Sequence, residues 1–213
     1  MPDNTIAINR QMTHFDQHQS VWLFGYGSLI YKADFPYIER RPASIRHWVR
    51  RFWQGSHDHR GTPDAPGRVV TLIPQQDAVC EGMAYLITPE EFAHLDYREK
   101  NGYLRLVTDI RFHPAGKTEK PTERQAEGPE EGETEDRVEG VVYIAAENNA
   151  AFLGEAEVED IARQIAQSHG PSGSNMDYLL RLASALRELN ALDEHVFAIE
   201  AALMQMEPEL GHA

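Results

Sequence analysis

The chain has 213 residues and a formal net charge of −14, because 34 acidic side chains outnumber 20 basic ones. Its length is typical of one domain, and a hydrophobic fraction of 41% is sufficient for a packed core. A surface with this excess of negative charge repels a phosphate backbone, which argues against nucleic acid as a partner.

The composition also indicates the cellular compartment in which the protein is found. Cys80 is the one cysteine of the chain, so an intrachain disulfide and a metal site made of cysteines alone are both excluded. Residues 1–20 are polar and lack the apolar segment of a signal peptide, and no run of 18 apolar residues indicates a transmembrane helix. We therefore predict a cytoplasmic protein without a membrane partner; no pattern in the sequence indicates an oligomeric state.

The first half of the chain predicts mainly strands. After a loose, flexible lead-in over residues 1–20, the apolar run VWLFG (Val21–Gly25) predicts a buried strand that enters a glycine turn. Residues 44–56 mix aromatic and cationic side chains and predict a strand, whereas the Gly- and Pro-rich residues 57–68 predict a loop. The runs VVTLIP and CEGMAYLI, with a short acidic connection between them, predict a hairpin.

One helix interrupts the predicted strands, over residues 88–102 (TPEEFAHLDYREKNG). Thr88 is a typical N-cap and Pro89 suits the first helical position. Glu91 has the capping-box spacing from Thr88, and Gly102 is a typical residue to follow a helix. This segment therefore carries both a start signal and a stop signal.

Strands resume after this helix, and further helices close the chain. YLRLVTDIRF alternates and predicts a strand, and VEGVVYIAA predicts another; between them, residues 114–137 lack any large apolar side chain and predict a flexible, acidic insertion. Three helices are predicted before a tail at residues 207–213, over residues 157–168, 175–190 and 192–206. This order indicates an α+β fold with a mainly antiparallel or mixed sheet, in a single domain over residues 21–206.

The turn sequence GYGS after the first strand is open to two interpretations. It is not a dinucleotide-binding fingerprint, because the third glycine would fall at Ile30, and no Gly-Lys-Ser/Thr follows as in a phosphate-binding loop. It is either a simple turn or a loop whose glycines let backbone N–H groups point at a carboxylate or an oxyanion. In the second case Ser28 can add a hydroxyl donor.

Glu99 is the most informative single carboxylate. Phe92, Leu95 and Glu99 have the spacing i, i+3, i+7, so Glu99 is expected on the apolar face of the predicted helix. A carboxylate on such a face is either salt-bridged or functional. Because an apolar setting raises the pKa of a carboxyl group, Glu99 is suited to proton transfer near neutral pH.

Other reactive side chains give weaker signals. His57 and His59 alternate as some metal ligands do, but they lie in a predicted loop and no clear partner spacing stands out among the other histidines. His14 and His18 are i, i+4 in a weakly patterned segment, which favours solvated histidines. Cys80 opens a strand-like run without a base beside it, which favours a packing residue over a nucleophile. We therefore predict no metal site.

Four segments in order resemble the ChaC-type γ-glutamylcyclotransferases: FGYGSLIYKADFPY, RRFWQGSHDHRGTPDAPGRVVTL, LDYREKNGY and GPSGSNMDYLLRL. The resemblance runs from about residue 21 to about residue 199. It implies a small, barrel-like mixed sheet surrounded by helices. It also implies an enzyme that cleaves glutathione into 5-oxoproline and cysteinylglycine and needs neither a metal nor an organic cofactor.

The resemblance also implies which residues form the site. Glu99 matches the family's catalytic glutamate, and Tyr143 matches a tyrosine of the family's pocket. The loop that holds the γ-glutamyl group matches Gly25, Tyr26, Gly27, Ser28, Leu29 and Ile30. The chain departs from the family's usual residues near the pocket rim at Tyr31, Asn101 and Ser174.

Three alternatives stay open at this point. The same chemistry can serve another γ-glutamyl peptide or amine, the chain can be a non-catalytic regulatory binding protein, or His57 and His59 can serve a metal-dependent hydrolase. If glutathione is the substrate, three arginines are either partners of its glycine-end carboxylate or a solvated cationic rim. These arginines are Arg50, Arg51 and Arg60.

Overall fold

A computed structural model describes residues 4–113 and 136–210, with side chains given through residue 206. The strands are β1 (Val21–Gly25), β2 (Glu39–Ser56), β3 (Gly67–Ile87), β4 (Tyr103–Phe112), β5 (Arg137–Ala145), β6 (His169–Gly170) and β7 (Gly173–Ser174). The helices are α1 (Ile6–Asn9), α2 (Phe92–Arg98), α3 (Val158–Gln167), α4 (Asn175–Glu188) and α5 (Glu194–Leu210). Ser28–Ile30 and Pro89–Glu91 form short 3₁₀ turns.

Two predicted segments fall mainly outside the described residues. Only the last two residues of the predicted acidic insertion at 114–137 are described, and Arg137 already begins β5. The predicted tail at 207–213 is described only as far as residue 210, where the backbone still continues α5.

The first five strands close into a barrel in the order β1, β3, β2, β4, β5. β1 pairs in parallel with β5, and the other four neighbouring pairs are antiparallel. The last three helices pack against the barrel through a shared apolar core. The predicted α+β class and the barrel-like mixed sheet are confirmed. Within the described ranges, no helix is both long and apolar enough to cross a bilayer.

β1 and the second half of β5 are buried on both faces. In β1, Leu23 and Phe24 are adjacent, yet each joins a different core cluster, and only the cluster of Phe24 includes the C-terminal helices. In β5, Val142 and Tyr143 divide between the same two clusters. Because neighbouring side chains of a strand point to opposite faces, burial of both faces requires the continuous apolar runs VWLFG and VVYIA.

The predicted hairpin within residues 69–87 is wrong, because Gly67–Ile87 forms one strand of 21 residues. Its polar middle is not a turn but a site where the pairing with β2 changes register. There His47 and Asp77 both have positive φ, at 68° and 61°, and the N–H of Asp77 donates to His47 Nδ1 at 3.3 Å. A bulge of this kind bends a paired strand and leaves polar residues exposed without ending the strand.

The helix that precedes Glu99 is present but starts differently from the prediction. Its first turn, Pro89–Glu91, is a 3₁₀ turn, and the side chain of Thr88 makes no capping hydrogen bond. The carbonyl of Thr88 instead accepts the N–H of Glu91 at 3.1 Å. The chain leaves the helix through Gly102, whose φ of +94° is a conformation that glycine adopts without strain.

The predicted loose lead-in is also different in the structure. Residues 4–20 lie against the domain, with Thr5, Asn9 and Phe15 buried. Polar side chains make much of this contact, through hydrogen bonds to the backbone near residues 99–105. Hydrophobic periodicity carries no signal for contacts of this kind.

Arg50 connects four parts of the fold and is 2% exposed. Its Nε donates to the carbonyl of Tyr26, and its Nη2 donates to the carbonyl of Glu81, both at 2.5 Å. Its Nη1 forms an ion pair with Asp193 Oδ2 at 2.5 Å, and Asp193 Oδ1 accepts the N–H of Val196 in α5. Arg50 therefore ties β2 to the glycine turn, to β3 and to the last helix. Because its charged group is buried and already paired, neither interpretation offered for it, a partner of a substrate carboxylate or a solvated cation, fits the structure.

We expect Arg50→Ala to destabilise the protein by about 3–5 kcal/mol, because it leaves the carboxylate of Asp193 and two buried carbonyls without their partner. Urea unfolding followed by circular dichroism measures this change. Glu39→Ala, at an exposed position of the same strand, is the control and should change stability by no more than about 0.5 kcal/mol. Equal effects of the two substitutions would contradict the role assigned to Arg50.

Candidate functional site

A recess of about 70 Å³ lies where β1 runs into the glycine turn. The residues that line it are Phe24, Gly25, Tyr26, Gly27, Ser28, Leu29, Val70, Glu99, Tyr103, Tyr143 and Tyr178. We call this the inner recess. It brings together seven of the eight residues that the sequence assigns to the site, although β1, the end of α2 and β5 are far apart in the chain.

Ile30 is the exception among the predicted site residues. It is buried in the core cluster that includes the C-terminal helices and is not among the residues lining the inner recess. The reason is the 3₁₀ turn Ser28–Ile30, which directs successive side chains to different sides. Leu29 does line the recess, and its carbonyl accepts the hydroxyl of Tyr85 at 2.5 Å.

The glycine turn is held close to its neighbours. A Cβ atom at Gly25 would lie 2.5 Å from Leu29 Cβ, so the turn has no room for a side chain at this position. The N–H of Ile30 donates to the carbonyl of Gly27 at 3.0 Å. Ser28 and Leu29 precede Ile30 as the first residues of the turn, and first-turn N–H groups have no acceptor within the turn. These groups are thus available to bind an acceptor in the recess.

Two tyrosines form part of the wall. The hydroxyl of Tyr26 donates to the carbonyl of Tyr143 at 2.8 Å, and the hydroxyl of Tyr143 donates to Asp96 Oδ1 at 2.6 Å. Burial, reinforced for Tyr143 by its hydrogen bond to Asp96, raises the pKa of both phenols above their ordinary value. Both side chains therefore stay neutral and position the wall instead of exchanging protons near pH 7.

Glu99 lies at the junction of the inner recess with a larger cleft. It is the C-cap of α2, and its own N–H donates to the carbonyl of Leu95 at 2.8 Å. Its side chain is 18% exposed. Burial raises the pKa of this carboxyl group, and the nearby side chains of Arg98 and His59 oppose that rise without cancelling it. The sequence predicted an apolar setting for this carboxyl group; the structure places it largely out of solvent, but at the end of the helix beside the polar side chains of Arg98 and His59.

Arg98 is a site residue that the sequence reasoning missed. Its Nε lies 3.1 Å from Glu99 Oε1, its Nη2 donates to Ser28 Oγ at 2.9 Å, and its Nη1 pairs with Asp34. Adjacent residues of an α-helix point about 100° apart, so helical periodicity predicts that Arg98 lies off the face that carries Glu99. Because the helix ends at Arg98, the two side chains no longer follow that periodicity, and both reach the glycine turn.

The larger cleft, of about 200 Å³, continues outward from Glu99 and is more charged. We call it the outer cleft; the charged and histidine side chains that line it are Lys32, Asp34, Asp58, His59, Arg60, Arg98 and Glu99. Asn101 also lines it and donates to Asp58. The cleft thus offers three cations and a histidine to a ligand that extends from the inner recess.

Of the three arginines considered for a substrate carboxylate, Arg60 lines the outer cleft, whereas Arg50 and Arg51 line neither the inner recess nor the outer cleft. Its side chain is 12% exposed, with Nη1 donating to the carbonyl of Ser174 at 3.0 Å and lying 3.6 Å from Asp177 Oδ2. Arg51 instead donates to the carbonyl of Arg50 at 2.8 Å. Arg60 therefore keeps the role of a candidate ligand-binding cation.

The histidines and the cysteine that gave weaker signals in the sequence are held by contacts of their own. His59 Nδ1 lies 3.1 Å from Ser172 Oγ, and the part of the chain that is described contains no group of three His, Cys, Asp or Glu side chains that could hold a metal. His14 is half exposed and pairs with Glu139 at 2.5 Å. Cys80 is buried, and burial raises the pKa of its thiol to about 11, as suits a packing residue.

Comparison with known proteins gives consistent results. The model of the ChaC-like protein family matches residues 21–206. The glutathione-specific γ-glutamylcyclotransferase 1 of Danio rerio is 41% identical over 193 residues, covering 87% of this chain and 89% of the relative. The γ-glutamylcyclotransferase 2-3 of Arabidopsis thaliana is 44% identical over 190 residues, covering 83% and 85%. A crystal structure of a yeast γ-glutamyl cyclotransferase specific to glutathione superposes with a TM-score of 0.75 at 32% identity, covering 88% of this chain and 97% of that one.

The two glycines of the turn should differ in their tolerance of a methyl group. We expect Gly25→Ala to cost about 1–3 kcal/mol of stability, because its Cβ overlaps Leu29 Cβ next to the backbone. In Gly27→Ala the new Cβ meets side-chain atoms of Val70 and Tyr178 at 3.0 and 3.1 Å, which can move slightly. Thermal unfolding of both variants measures the difference, and an equal loss of stability would contradict it.

Proposed function

The chain belongs to the family of ChaC-like proteins, and we propose that it is a glutathione-specific γ-glutamylcyclotransferase that converts glutathione to 5-oxoproline and cysteinylglycine. The observation that carries this proposal is the position of Glu99, which lines both the inner recess and the outer cleft beside the glycine turn. The γ-glutamyl group would occupy the inner recess, and Cys-Gly would extend into the outer cleft. The scissile amide would then lie next to the Glu99 carboxylate.

The reaction needs no nucleophile from the protein, because the α-amine of the substrate attacks its own γ-carbonyl carbon. A C–N bond forms to close the five-membered lactam, the amide C–N bond to cysteine breaks, and no water is consumed. Holding an intramolecular nucleophile in a productive orientation can lower the barrier by about 7–11 kcal/mol. The main task of the inner recess is therefore to fold the γ-glutamyl group into the attacking conformation.

Glu99 would move both protons of the reaction. As a carboxylate it accepts a proton from the α-ammonium group, which frees the amine to attack. As a carboxylic acid it then donates that proton to the departing amine of cysteine, which returns Glu99 to the carboxylate form. The attacking nitrogen loses a second proton as the lactam forms, and Glu99 passes this proton to the released amine, which leaves as an ammonium group. A pKa raised by burial suits a group that must both accept and donate a proton in one turnover.

The glycine turn would bind the anionic parts of the γ-glutamyl group. Gly27, Ser28 and Leu29 of the turn line a recess that is also lined by Tyr26 and Tyr143, so we place N–H groups of the turn and the Ser28 hydroxyl at the substrate. Such donors stabilise a carboxylate or the oxyanion that develops on the attacked carbonyl. Arg98, which contacts both Ser28 and Glu99, holds these two parts of the site together.

The outer cleft would determine how well the Cys-Gly portion is bound. Arg60 and Lys32 line it and can attract the terminal carboxylate of glycine. The carbonyl of Ser174 orients the Arg60 guanidinium, and Asn101 holds Asp58, so two of the positions that depart from the family's usual residues lie at this rim. Selectivity for glutathione over other γ-glutamyl compounds would thus depend on this cleft.

We place the protein in the cytoplasm with the small-molecule substrate as its partner. Its single cysteine is buried, so the fold does not depend on an oxidising compartment. The net charge of −14 argues against nucleic acid. The absence of a cofactor stays a prediction, and the product assay below includes a chelator for that reason.

The decisive experiment incubates purified protein with glutathione and a chelator and quantifies 5-oxoproline and cysteinylglycine. We expect equimolar products from the wild type, and a 10²–10⁴-fold lower kcat for Glu99→Gln, since a general base typically contributes that factor. Glu90→Gln, an exposed glutamate next to α2, is the matched control and should retain full activity. More than about a tenth of wild-type activity in Glu99→Gln would remove Glu99 from the mechanism.

The same experiment separates the alternatives. Turnover of other γ-glutamyl peptides but not of glutathione would redirect the assignment to another substrate of the same chemistry. Loss of turnover with chelator, restored by a divalent metal, would support the hydrolase reading through His57 and His59. No turnover of any γ-glutamyl compound by folded protein would favour a non-catalytic binding protein.

The pH dependence should reflect the raised pKa of Glu99. Catalysis requires the carboxylate, so kcat/KM should fall as the pH is lowered. This acidic limb of the pH profile should lie above the ordinary glutamate pKa of about 4.3. Arg98→Gln removes a cation that lowers this pKa, so the limb should move to higher pH. Arg163→Gln on the surface of α3 is the control and should leave the limb in place. An unchanged limb in Arg98→Gln would contradict the proposed coupling.

The stability of Glu99→Gln relative to the wild type should reflect the raised pKa of Glu99. A carboxyl group whose pKa is raised on folding favours the folded state while it is protonated, and this contribution is lost as the pH rises through the folded-state pKa. Above that pKa the neutral glutamine avoids the buried charge, so we expect the melting temperature of Glu99→Gln to equal or exceed that of the wild type at pH 8. A clearly lower melting temperature would indicate that Glu99 is held mainly as a structural ion pair.

A further inference from the structure

The N-terminal segment contacts the part of the chain that carries Glu99, although it precedes the region matched by the family model. The backbone N–H of Thr5 donates to the carbonyl of Lys100 at 3.0 Å. Thr5 Oγ1 lies 3.3 Å from the carbonyl of Glu99 and 3.1 Å from that of Lys100, and Asn4 forms a bridge with Asn101. These carbonyls follow the end of α2, where a helix leaves its last acceptors without partners in the helix.

A second set of contacts fixes the strand that follows Glu99. The side chain of Asn9 donates from Nδ2 to the carbonyl of Tyr103 at 3.1 Å and accepts the N–H of Arg105 at Oδ1, at 2.8 Å. β4 pairs with β2 only near its far end, at residues 111–112, so its first residues lack a strand partner on that edge. The amide of Asn9, which is 2% exposed, takes the place of a neighbouring strand.

A third set reaches the wall of the inner recess. Arg105 Nη2 donates to the carbonyls of Asn9 and Met12 at 2.7 and 3.1 Å. Its guanidinium lies over the ring of Phe92 at 3.8 Å, and its Nε is 4.0 Å from Asp96 Oδ1. Asp96 is the acceptor of the Tyr143 hydroxyl. The end of α1 is thereby connected through one buried arginine to two residues of α2 and to the recess.

We propose that residues 4–12 are a clamp that positions the Glu99 carboxylate, with Thr5 and Asn9 as its positioning residues. This inference rests on the proposed function for the role of Glu99, but the contacts stand independently of it. The clamp holds the chain on both sides of Glu99: Thr5 binds the turn at residues 99–100, and Asn9 binds the start of β4. Neither residue touches the inner recess or the outer cleft, so both act only through the backbone that carries Glu99.

The test compares Thr5→Val with Thr5→Ser in the full-length protein, with Ile8→Thr as the control. Valine keeps the shape of threonine but removes the hydroxyl, serine keeps the hydroxyl, and Ile8 is exposed on the same short helix. We expect Thr5→Val to lower kcat on glutathione roughly tenfold to 100-fold, since small misplacements of a catalytic group have effects of this size. KM should stay within about twofold, Thr5→Ser should restore kcat, and Ile8→Thr should resemble the wild type.

Asn9→Ala provides a second variant, and amide hydrogen exchange provides a readout that does not depend on activity. In Thr5→Val and Asn9→Ala, exchange should accelerate in peptides spanning residues 97–105 while peptides from α4 stay protected. Melting temperatures of all variants establish that the assay temperature lies below unfolding. If the role of these residues is merely structural, the substitutions lower the folded fraction but leave the kcat of the folded protein unchanged. Amide hydrogens of residues 97–105 are then protected from exchange no better in Thr5→Ser than in Thr5→Val.

Three results would overturn the clamp. They are a kcat within twofold of wild type in Thr5→Val, a failure of Thr5→Ser to restore kcat, and unchanged exchange over residues 97–105 in both variants. If the wild type forms no 5-oxoproline from glutathione, that result contradicts the proposed function but not the clamp. The exchange measurement then decides by itself whether residues 4–12 hold the Glu99 segment.

Discussion

The structure is organised around one constraint: the carboxylate of Glu99 is held largely out of water beside the glycine turn. Burial of an ionisable group is unfavourable unless partners compensate for the lost hydration. Glu99 receives one close partner, Arg98, and that arginine is itself shared with Asp34 and Ser28. The compensation is partial, so the pKa of Glu99 remains raised. A fully compensated glutamate would be a poorer proton carrier.

Two buried arginines hold the surroundings of this carboxylate from opposite sides. Arg50 links the carbonyl of Tyr26 in the glycine turn to Asp193 and hence to the C-terminal helices. Arg105 links the end of α1 to α2 and lies beside Asp96. Each is almost completely buried, and breaking such an interaction leaves an unpaired charge or carbonyl inside the protein. Through these two arginines, the short glycine turn and the wall of the site are fixed to the rest of the domain.

Much of the architecture follows from local patterns in the chain. Continuous apolar runs predicted β1 and β5, alternation predicted β4, and the C-terminal helices lie close to their predicted bounds. The segment ending at Glu99 was correctly predicted as helical, and the departure of the chain at Gly102 agrees with its positive φ. These signals are readable because they depend on residues close together in sequence.

Two of the errors, the hairpin and the loose lead-in, arise because the deciding partner is distant in sequence, and the other two arise from local helix geometry. A polar stretch between apolar runs suggested a turn, but a matching irregularity in β2 keeps β3 continuous through it. Thr88 and Glu91 have capping-box spacing, yet a 3₁₀ turn displaces them from capping geometry. Residues 4–20 seemed loose because their contacts are polar side chains bound to a remote backbone. Arg98 was missed because periodicity does not extend past the end of a helix.

By itself, the sequence determined the α+β class and the glycine turn, because residue type and local spacing decide these features. The same spacing left Glu99 as either salt-bridged or functional, and its assignment as the catalytic carboxylate rests on the resemblance to the ChaC-type family. Only the tertiary structure decided that Ile30 belongs to the core, that Arg50 is internal and that Arg98 and the N-terminal segment contact Glu99. Barrel closure brings the ends of β1, α2 and β5 to one point, and no local pattern records which distant side chains will meet there.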